Sequence, residues 1–220
     1  MADEAEDMLD EPVILPEADN IVAMDCEMVG VGERKQNVLA RCSIVDYYGN
    51  VVYDQYVKPS APITDYRWRW SGILPVHMRR AIPFNVARKQ ILRILQSKII
   101  VGHSVHCDFK ILKYRRASSH VRDTAKCVDL KAKAGFPLNQ TPSLKRLSSA
   151  VLGRDIQSDT HCSVEDATAS MDLYRTVEDK WESDLRKRKC GGGNGDNFLH
   201  DIIIIIIIII IIMILFGPHG

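Results

Sequence analysis

Residues 21–30, IVAMDCEMVG, place two acids inside an otherwise apolar, β-favouring run. Successive side chains of a β-strand point to opposite faces, so Asp25 and Glu27 share one face while Met24 and Cys26 point the other way. Two neighbouring carboxylates repel each other unless a cation lies between them, and Mg²⁺ or Mn²⁺ prefers such oxygen ligands. The alternative is an ordinary surface Asp and Glu at the end of an edge strand.

The composition is typical of a single folded domain. A chain of 220 residues is long enough for one α/β domain with a sizeable core and modest tails. Its six cysteines are scattered without a CxxC pair, and the sequence shows no secretory signal. This pattern predicts reduced thiols in an intracellular protein and argues against a zinc or disulfide framework.

The charge is distributed unevenly along the chain. Residues 1–20 contain eight acids and no Lys or Arg; since the whole chain carries +1, residues 21–220 carry +9. We predict a disordered acidic leader over residues 1–20. The basic remainder can attract a polyanion such as a nucleic acid.

The hydrophobic periodicity predicts an α/β fold. Predicted strands cover residues 21–28, 39–45, 51–57, 98–102 and 121–124, and residues 58–75 are predicted to be a loop. Predicted helices cover residues 84–96, 108–114, 142–152 (with Thr141 as N-cap) and 163–188. Three strands followed by alternating helices and short strands predict a mixed central sheet with helices on its faces.

The C-terminal region departs from this pattern. The RKRK run at residues 186–189 predicts a nuclear-localisation signal, or else provides cations that favour a helix C-terminus. We therefore place the folded domain at residues 21–189 and a Gly-rich linker and tail at residues 190–220. The apolar block at residues 202–216 contains eleven consecutive isoleucines and is short for a membrane span. We interpret it as a repeat tract or an artefact of the gene model, with a membrane anchor as the alternative.

Two further acids and a histidine occur near predicted helix starts. Asp108 follows a predicted buried strand, and His161 precedes Asp166 by five residues. Each has an ordinary explanation: the helix dipole favours an acid in the first turn, and Ser163 with Asp166 can form a capping box. Together with the first pair, however, they supply four carboxylates and a histidine that can converge on one cleft.

In order and spacing these residues resemble the DEDD exonucleases of the subclass with a catalytic histidine. Within that superfamily the sequence is similar to the interferon-stimulated exonuclease group and its apoptosis-enhancing nuclease relatives. The matching phrases are AMDCEMVG (23–30), LARCSIVDYYG (39–49), TDYRWRWSGI (64–73), VGHSVHCDF (101–109), RDT (122–124) and HCSVEDATASMDLYR (161–175). The resemblance covers residues 21–181 and implies a ribonuclease H-like mixed β-sheet flanked by α-helices. The acidic leader, Cys162 (where Ser is more usual) and the isoleucine tail depart from the family pattern.

The resemblance also implies a reaction. Two ions, Mg²⁺ or Mn²⁺, about 4 Å apart would support phosphodiester hydrolysis. Asp25 would bridge them, Glu27 and Asp166 would complete the first site, and Asp108 would support the second. His161 would take the proton from the attacking water. The expected activity releases nucleoside 5′-monophosphates from the 3′ end of single-stranded RNA and, less well, of single-stranded DNA.

Two more positions match residues that contact the terminal ribose in the family. Met28 and Arg67 would sense the 2′-hydroxyl that distinguishes RNA from DNA. For Met28 this requires the strand to end or twist, since strict alternation turns it away from Asp25. The alternative is that Met28 fills a gap in the core and Arg67 pairs with Asp65.

Three other functions remain open at this stage. A nucleic-acid-binding pseudonuclease would not need all five catalytic residues, and a ribonuclease H-like endonuclease leaves His161 unexplained. A DNA-directed exonuclease is the third. We expect the protein in the nucleus, including the nucleolus, and in the cytoplasm, rather than in a membrane. The expected role is antiviral defence or RNA processing.

Overall fold

The computed structural model describes residues 16–191, with side chains through residue 188. These residues belong to two compact units, the first ending at Trp181 and the second beginning at Glu182. Residues 1–15 of the predicted leader and the isoleucine block lie outside the described residues, so the predicted domain limits stay predictions. Within the described part of the chain, no helix is both long and apolar enough to cross a membrane.

A mixed β-sheet forms the centre of the first unit, which confirms the predicted fold class. Its described strands are β1 (Ile21–Val31), β2 (Gln36–Asp46), β3 (Val51–Lys58), β4 (Ile63–Asp65), β5 (Ile82–Pro83), β6 (Ile99–Gly102) and β7 (Val121–Asp123). They lie in the order β5-β3-β2-β1-β6-β7, and β4 pairs with β1 outside this path. β2 pairs antiparallel with both β1 and β3, and β4 pairs antiparallel with β1. The pairs β1–β6, β6–β7 and β3–β5 are parallel.

Helices cover the sheet. They are α1 (Trp68–Ser71), α2 (Phe84–Leu95), α3 (His106–Ile111), α4 (Val128–Lys133), α5 (Leu144–Leu147), α6 (Ser163–Arg175) and α7 (Glu178–Gly191). Most ends fall within a few residues of the predicted ones, as is usual for helix boundaries. The short helix α4 was not predicted, and the predicted loop at residues 58–75 was wrong in part, because it contains β4 and α1.

Strand β1 separates two apolar clusters. Val22 and Met24 pack with Ile91 of α2 on one face. Ala23 packs with Met171 of α6 on the other face. The alternation predicted from the sequence therefore holds in the structure. It directs the odd-numbered residues of β1 toward α6.

The helix predicted from Thr141 and Pro142 begins later than expected. Ser143 is the N-cap, and its hydroxyl accepts a hydrogen bond from the backbone N of Arg146 at 3.4 Å. Pro142 therefore precedes the helix instead of opening it. After α5 the backbone widens into a π-helical turn over Ser148–Leu152.

The single helix predicted over residues 163–188 is two helices, α6 and α7. The backbone N of Thr176 bonds to the carbonyls of both Asp172 and Leu173, and its hydroxyl donates to Leu173 O at 2.9 Å. Val177 then bonds three residues back, to Tyr174 O. Two consecutive β-branched residues, one with a hydroxyl that competes for a backbone carbonyl, weaken the regular helix at this point.

Helix α2 offers a test of the core. Ile91 is fully buried, so Ile91→Ala should reduce the free energy of unfolding by about 2–5 kcal/mol through lost burial and a residual cavity. Val86 lies on the same helix but is 42% exposed. Val86→Ala should therefore stay within about 0.5 kcal/mol of the wild type in urea denaturation. Equal losses for both variants would contradict this assignment of the core face.

Candidate active site

The paired acids of β1 face helix α6. Asp25 lies opposite Ser43 of β2, and Glu27 lies opposite Arg41. Both acids continue the odd-numbered face that packs on α6 further back along the strand. Glu27 is buried, with 6% of its surface exposed, so its carboxyl group is held away from bulk water.

A polar network holds the start of α6 against the sheet. Arg41 donates from Nε and Nη2 to the two carboxylate oxygens of Asp54, at 2.8 and 2.9 Å. Ser43 also donates to Asp54, and the hydroxyls of Ser43 and Ser163 lie 2.7 Å apart. Since the Ser43 proton is used on Asp54, Ser163 is the donor to Ser43. This chain of bonds fixes the first residue of α6 beside the strand that carries the two acids.

The capping box considered for this helix is not formed. The N-cap residue is Cys162, without a side-chain capping bond, and the Ser163 hydroxyl is turned toward Ser43. Asp166 is therefore not needed as a cap partner. Its side chain is buried beside β1, with 3% of the residue exposed.

Asp25, Glu27 and Asp166 form the acidic cluster. One ligand oxygen from each lies within 4.8 Å of those of the others. Glu27 Oε1 and Asp166 Oδ1 are buried and have no hydrogen-bond partner among the described residues. Buried, unpaired carboxylate oxygens are costly unless a cation pairs with them, and a hard divalent ion takes this donor set. The residues therefore fit the predicted metal.

The electrostatics of the cluster agree with this fit. Burial, followed by the charge of Asp166, raises the pKa of Glu27 to about 8, although His161 and Arg41 act in the opposite direction. Burial, Asp108 and Glu27 raise the pKa of Asp25 well above its ordinary value. The protein thus holds these carboxyl groups where their charged forms are disfavoured without a cation.

Asp108 lies close to the cluster but outside the group of three. It is the third residue of α3 and is 4% exposed. Burial raises its pKa to about 8, while a hydrogen bond with the Cys26 thiol opposes the shift. Its charge in turn raises the pKa of Asp25. Asp108 is therefore electrostatically coupled to Asp25, as a residue supporting a second ion would be.

His161 stands at the open side of the cluster. Its Nδ1 lies 3.5 Å from Asp166 Oδ2, and 39% of its side chain is exposed. The hydrogen bond with Asp166 is the main reason that the pKa of His161 is raised. With Nδ1 directed at the carboxylate, Nε2 is the ring nitrogen left to accept a proton.

Asp25, Asp166 and His161 line a cleft of about 420 Å³. Its lining residues are Asp25, His103, Ser104, Thr141, Pro142, Ser143, Leu144, Gln157, His161 and Asp166. A larger and more apolar cleft, of about 650 Å³, is lined by residues of β2, α2 and α3 among others and contains none of the four acids. The smaller cleft is the candidate active site because two of the four acids, Asp25 and Asp166, line it together with His161.

Two residues of this cleft were not found from the sequence. His103 Nδ1 lies 3.0 Å from Thr124 Oγ1, and burial lowers the pKa of His103, which keeps the ring neutral. Gln157 adopts a positive φ of 55° and donates from Nε2 to Asp166 Oδ2 at 2.9 Å. The position of His103 directly after a buried strand was an available signal. Gln157 carried none, since its place depends on a loop conformation.

Met28 packs on the face of β1 away from the acids. The register between β1 and β2 shifts at this point: Glu27 lies opposite Arg41 and Met28 opposite Leu39, which leaves Ala40 as an extra residue. This irregularity is the kind of twist that the predicted ribose contact requires. Even so, Met28 is partly buried against the apolar cluster beneath that opposite face.

Arg67 follows β4 in the chain, and its side chain contacts the turn between β1 and β2. Its guanidinium donates to Asn37 Oδ1 at 2.7 Å and to Lys35 O at 2.8 Å. Asp65 accepts from the backbone N of Arg67 and forms its ion pair with Lys35 instead. The alternative pairing of the Arg67 guanidinium with Asp65 is therefore not the arrangement observed. The structure does not bring Met28 or Arg67 into the group of cleft-lining residues.

The chain matches the exonuclease family model (RNase_T) over residues 22–174. It is 51% identical to human apoptosis-enhancing nuclease over 164 residues, which is 73% of this chain and 50% of that protein. Human interferon-stimulated 20 kDa exonuclease-like 2 is 52% identical over 170 residues, which is 76% of this chain and 48% of that protein. The chain thus spans about half the length of these curated relatives. The matches confirm the resemblance predicted from the sequence motifs.

Solved structures of similar fold include nuclease modules of Pan2. The catalytic unit of Neurospora crassa Pan2 has a TM-score of 0.65 and 26% identity, covering 85% of this chain and 32% of that chain. A Saccharomyces cerevisiae Pan2 pseudoubiquitin hydrolase-RNA exonuclease module in complex with AAGGAA RNA has a TM-score of 0.64 and 28% identity. It covers 81% of this chain and 32% of that chain.

The raised pKa values predict how stability depends on pH without metal. Glu27 titrates near 4.5 when unfolded and at about 8 when folded, so the native state binds the extra proton. Stability contributed by the protonated form is present below pH 4.5 and is lost as the pH rises through about 8. The melting temperature of the metal-free protein should therefore fall between pH 5 and pH 8.5. Scanning calorimetry in EDTA measures it.

Asp25→Asn tests whether repulsion between the carboxylates causes this pH dependence. Removing one of the mutually repelling carboxylates should raise the melting temperature of the metal-free protein at pH 8, with a smaller difference at pH 5. Mg²⁺ or Mn²⁺ should stabilise the wild type at pH 8 by binding only the native state, and should stabilise the variant less. A wild-type protein that neither loses stability with rising pH nor gains it from either ion would contradict the metal assignment.

Proposed function

The chain belongs to the exonuclease family, and from that premise we propose that it is a metal-dependent 3′–5′ exonuclease of single-stranded RNA. Single-stranded DNA is the poorer substrate, and the products are nucleoside 5′-monophosphates. The observation that carries the proposal is the convergence of Asp25, Glu27 and Asp166 beside the partly exposed His161. Glu27 and Asp166 each contribute an unpaired buried oxygen.

The carboxylates account for the cofactor requirement. Asp25, Glu27 and Asp166 would hold one ion, Mg²⁺ or Mn²⁺, and Asp108 with Asp25 would hold a second. Such ions stabilise charge on the phosphate oxygens and lower the pKa of water. The chain's own contribution is to hold the four acids near one another, with Glu27, Asp108 and Asp166 buried. The Arg41–Asp54 pair supports this arrangement from the neighbouring strands.

His161 provides the general base in this proposal. Its Nδ1 faces Asp166, so the exposed Nε2 takes the proton of the attacking water. Asp166 orients the ring and favours the imidazolium that forms, which is why its hydrogen bond raises the pKa of His161. General-base catalysis of this kind contributes about 10²–10⁴-fold to the rate.

The choice of RNA is supported by relatives rather than by the cleft alone. The Saccharomyces cerevisiae Pan2 module of similar fold was solved in complex with RNA. RNA exonuclease 4 of human is 42% identical over 169 residues, which is 76% of this chain and 39% of that protein. A role in RNA processing or antiviral defence would follow from this specificity, with the basic run at residues 186–189 directing the protein to the nucleus in addition to the cytoplasm.

The proposal is tested with 5′-end-labelled single-stranded RNA in Mg²⁺ or Mn²⁺. The wild type should shorten the strand stepwise and release mononucleotides. Asp25→Asn and Asp108→Asn should remove nearly all turnover, while His161→Ala should lower kcat by about 10²–10⁴-fold with KM largely kept. Internal fragments would indicate an endonuclease, and strand binding without cleavage a pseudonuclease. A His161 effect on KM alone would remove the histidine from the proton-transfer step.

Sugar discrimination gives a separate prediction. If Arg67 reads the terminal ribose, Arg67→Ala should cost about 1–3 kcal/mol in kcat/KM on RNA and distinctly less on DNA of the same sequence. Arg67 also bonds to Asn37 Oδ1, so Arg67→Ala could act only by loosening the β1–β2 turn. Asn37→Ala removes the same bond but keeps the guanidinium, and is therefore the control. Equal losses on RNA and DNA would mean that Arg67 holds phosphate or supports the turn. The RNA preference would then need another source.

A further inference from the structure

Helix α1 presents two tryptophans to solvent next to the cleft. Trp68 is 54% exposed and Trp70 is 67% exposed, although large aromatic side chains are usually well covered in folded proteins. The guanidinium of Arg69 lies 5.6 Å from the centre of the Trp68 ring. This cluster of Trp68, Arg69 and Trp70, here called the tryptophan turn, has no part in the catalytic arrangement described above. Adjacent exposed aromatic residues indicate an interaction surface.

Hydrogen bonds of the buried Ser71 and the backbone conformation of the flanking residues hold the tryptophan turn in place. Left-handed residues flank it, Arg67 with a φ of 51° and Gly72 with a φ of 61°. Ser71 is buried, and its hydroxyl donates to Tyr66 O at 2.7 Å and accepts from the backbone N of Ile73 at 3.1 Å. The indole rings are therefore displayed on a fixed support, which reduces the entropy lost when a ligand orders them.

The same turn packs against the segment that carries His161. The backbone N of His161 donates to Trp70 O at 3.3 Å. A Cβ atom on Gly72 would lie 2.8 Å from His161 O and 3.2 Å from Thr160 Oγ1, so only glycine permits this approach. The backbone of the tryptophan turn therefore lies beside the residue that borders the acidic cluster.

We propose that the tryptophan turn is a stacking surface for the bases of the substrate strand that adjoin the nucleotide held at the carboxylates. The inference rests on the proposed function and adds a subsite to it. Every base has a π-face, so aromatic rings with a neighbouring cation bind a single strand without regard to its sequence. Arg69 covers one face of Trp68 and contributes a charge suited to the phosphate backbone.

The decisive experiment compares a long and a minimal substrate with the same enzyme. Oligoadenylate long enough to pass the cleft reaches the tryptophan turn, whereas the p-nitrophenyl ester of thymidine 5′-monophosphate offers the phosphodiester without a neighbouring base. Trp68→Ala and Trp70→Ala should each lower kcat/KM on oligoadenylate by roughly 5- to 100-fold, the range of base–aromatic stacking. Activity on the ester should stay within about twofold, since general-base catalysis does not involve the indoles.

Matched variants separate stacking from other roles. Trp68→Phe and Trp70→Phe should recover most of the oligoadenylate activity, because phenylalanine keeps an aromatic face. Tyr48, in the turn between β2 and β3, is 66% exposed, and Tyr48→Ala should leave both activities unchanged. An oligoadenylate with abasic nucleotides next to its 3′-terminal residue should bind the wild type more weakly than intact oligoadenylate does. In the alanine variants, which already lack the stacking ring, the abasic nucleotides should reduce the affinity little further.

Binding is followed independently by tryptophan fluorescence in the slow Asp25→Asn background. Oligoadenylate should quench the emission of the wild-type indoles, and the Trp68→Phe/Trp70→Phe variant, which keeps Trp181, should show little quenching. Unchanged oligoadenylate activity and binding in the alanine variants would overturn the proposal and leave the turn as a surface for another protein. Equal losses on both substrates would overturn it in favour of a support for His161. Wild-type protein that hydrolyses neither substrate would contradict the proposed function, while the quenching titration would still decide whether the turn binds a strand.

Discussion

Mutual repulsion between buried carboxylates is the constraint on which the rest of this structure depends. Three acids converge within 4.8 Å, and burial together with their like charges raises the pKa values of Asp25 and Glu27. Such a group does not hold itself together, so neighbouring elements must hold it against its own repulsion. The Arg41–Asp54 pair and the Ser43–Ser163 hydroxyl contact do so, joining β2, β3 and the first turn of α6. A divalent cation between these carboxylates would relieve their repulsion.

The two faces of strand β1 have different roles in the fold. The even-numbered residues at its start belong to the apolar cluster under α2. The odd-numbered residues Ile21 and Ala23 pack on α6, and the next two on that face are Asp25 and Glu27. The same alternation therefore builds the core and aims the carboxylates. A register irregularity follows directly after Glu27, where Ala40 becomes the extra residue on β2. Bulges at such positions re-aim side chains next to active sites, and this one separates the part of β1 that carries Asp25 and Glu27 from its end.

The region between β4 and α2 lies between the candidate site and the β1–β2 turn. Arg67 is bonded to the β1–β2 turn, whereas the neighbouring tryptophans are exposed and their backbone reaches the His161 segment. This one region therefore contacts both the β1–β2 turn and the segment that carries His161. The Saccharomyces cerevisiae Pan2 module of similar fold was solved in complex with AAGGAA RNA. In this chain the side chains around the cleft, rather than the fold, would decide which strand is preferred.

The sequence by itself determined the α/β class, the alternation that pairs Asp25 with Glu27, and the family, because all three are written in local periodicity and short motifs. Only the tertiary structure decided that Gln157 bonds to Asp166 and that Ser143 rather than Thr141 caps α5. It also decided that Arg67 lies against Asn37 and that Ser163 bonds to Ser43 instead of capping α6. These features depend on loop conformations and on contacts between separate parts of the chain; Ser43 and Ser163 are 120 residues apart. Local sequence patterns carry no information about such distant partners.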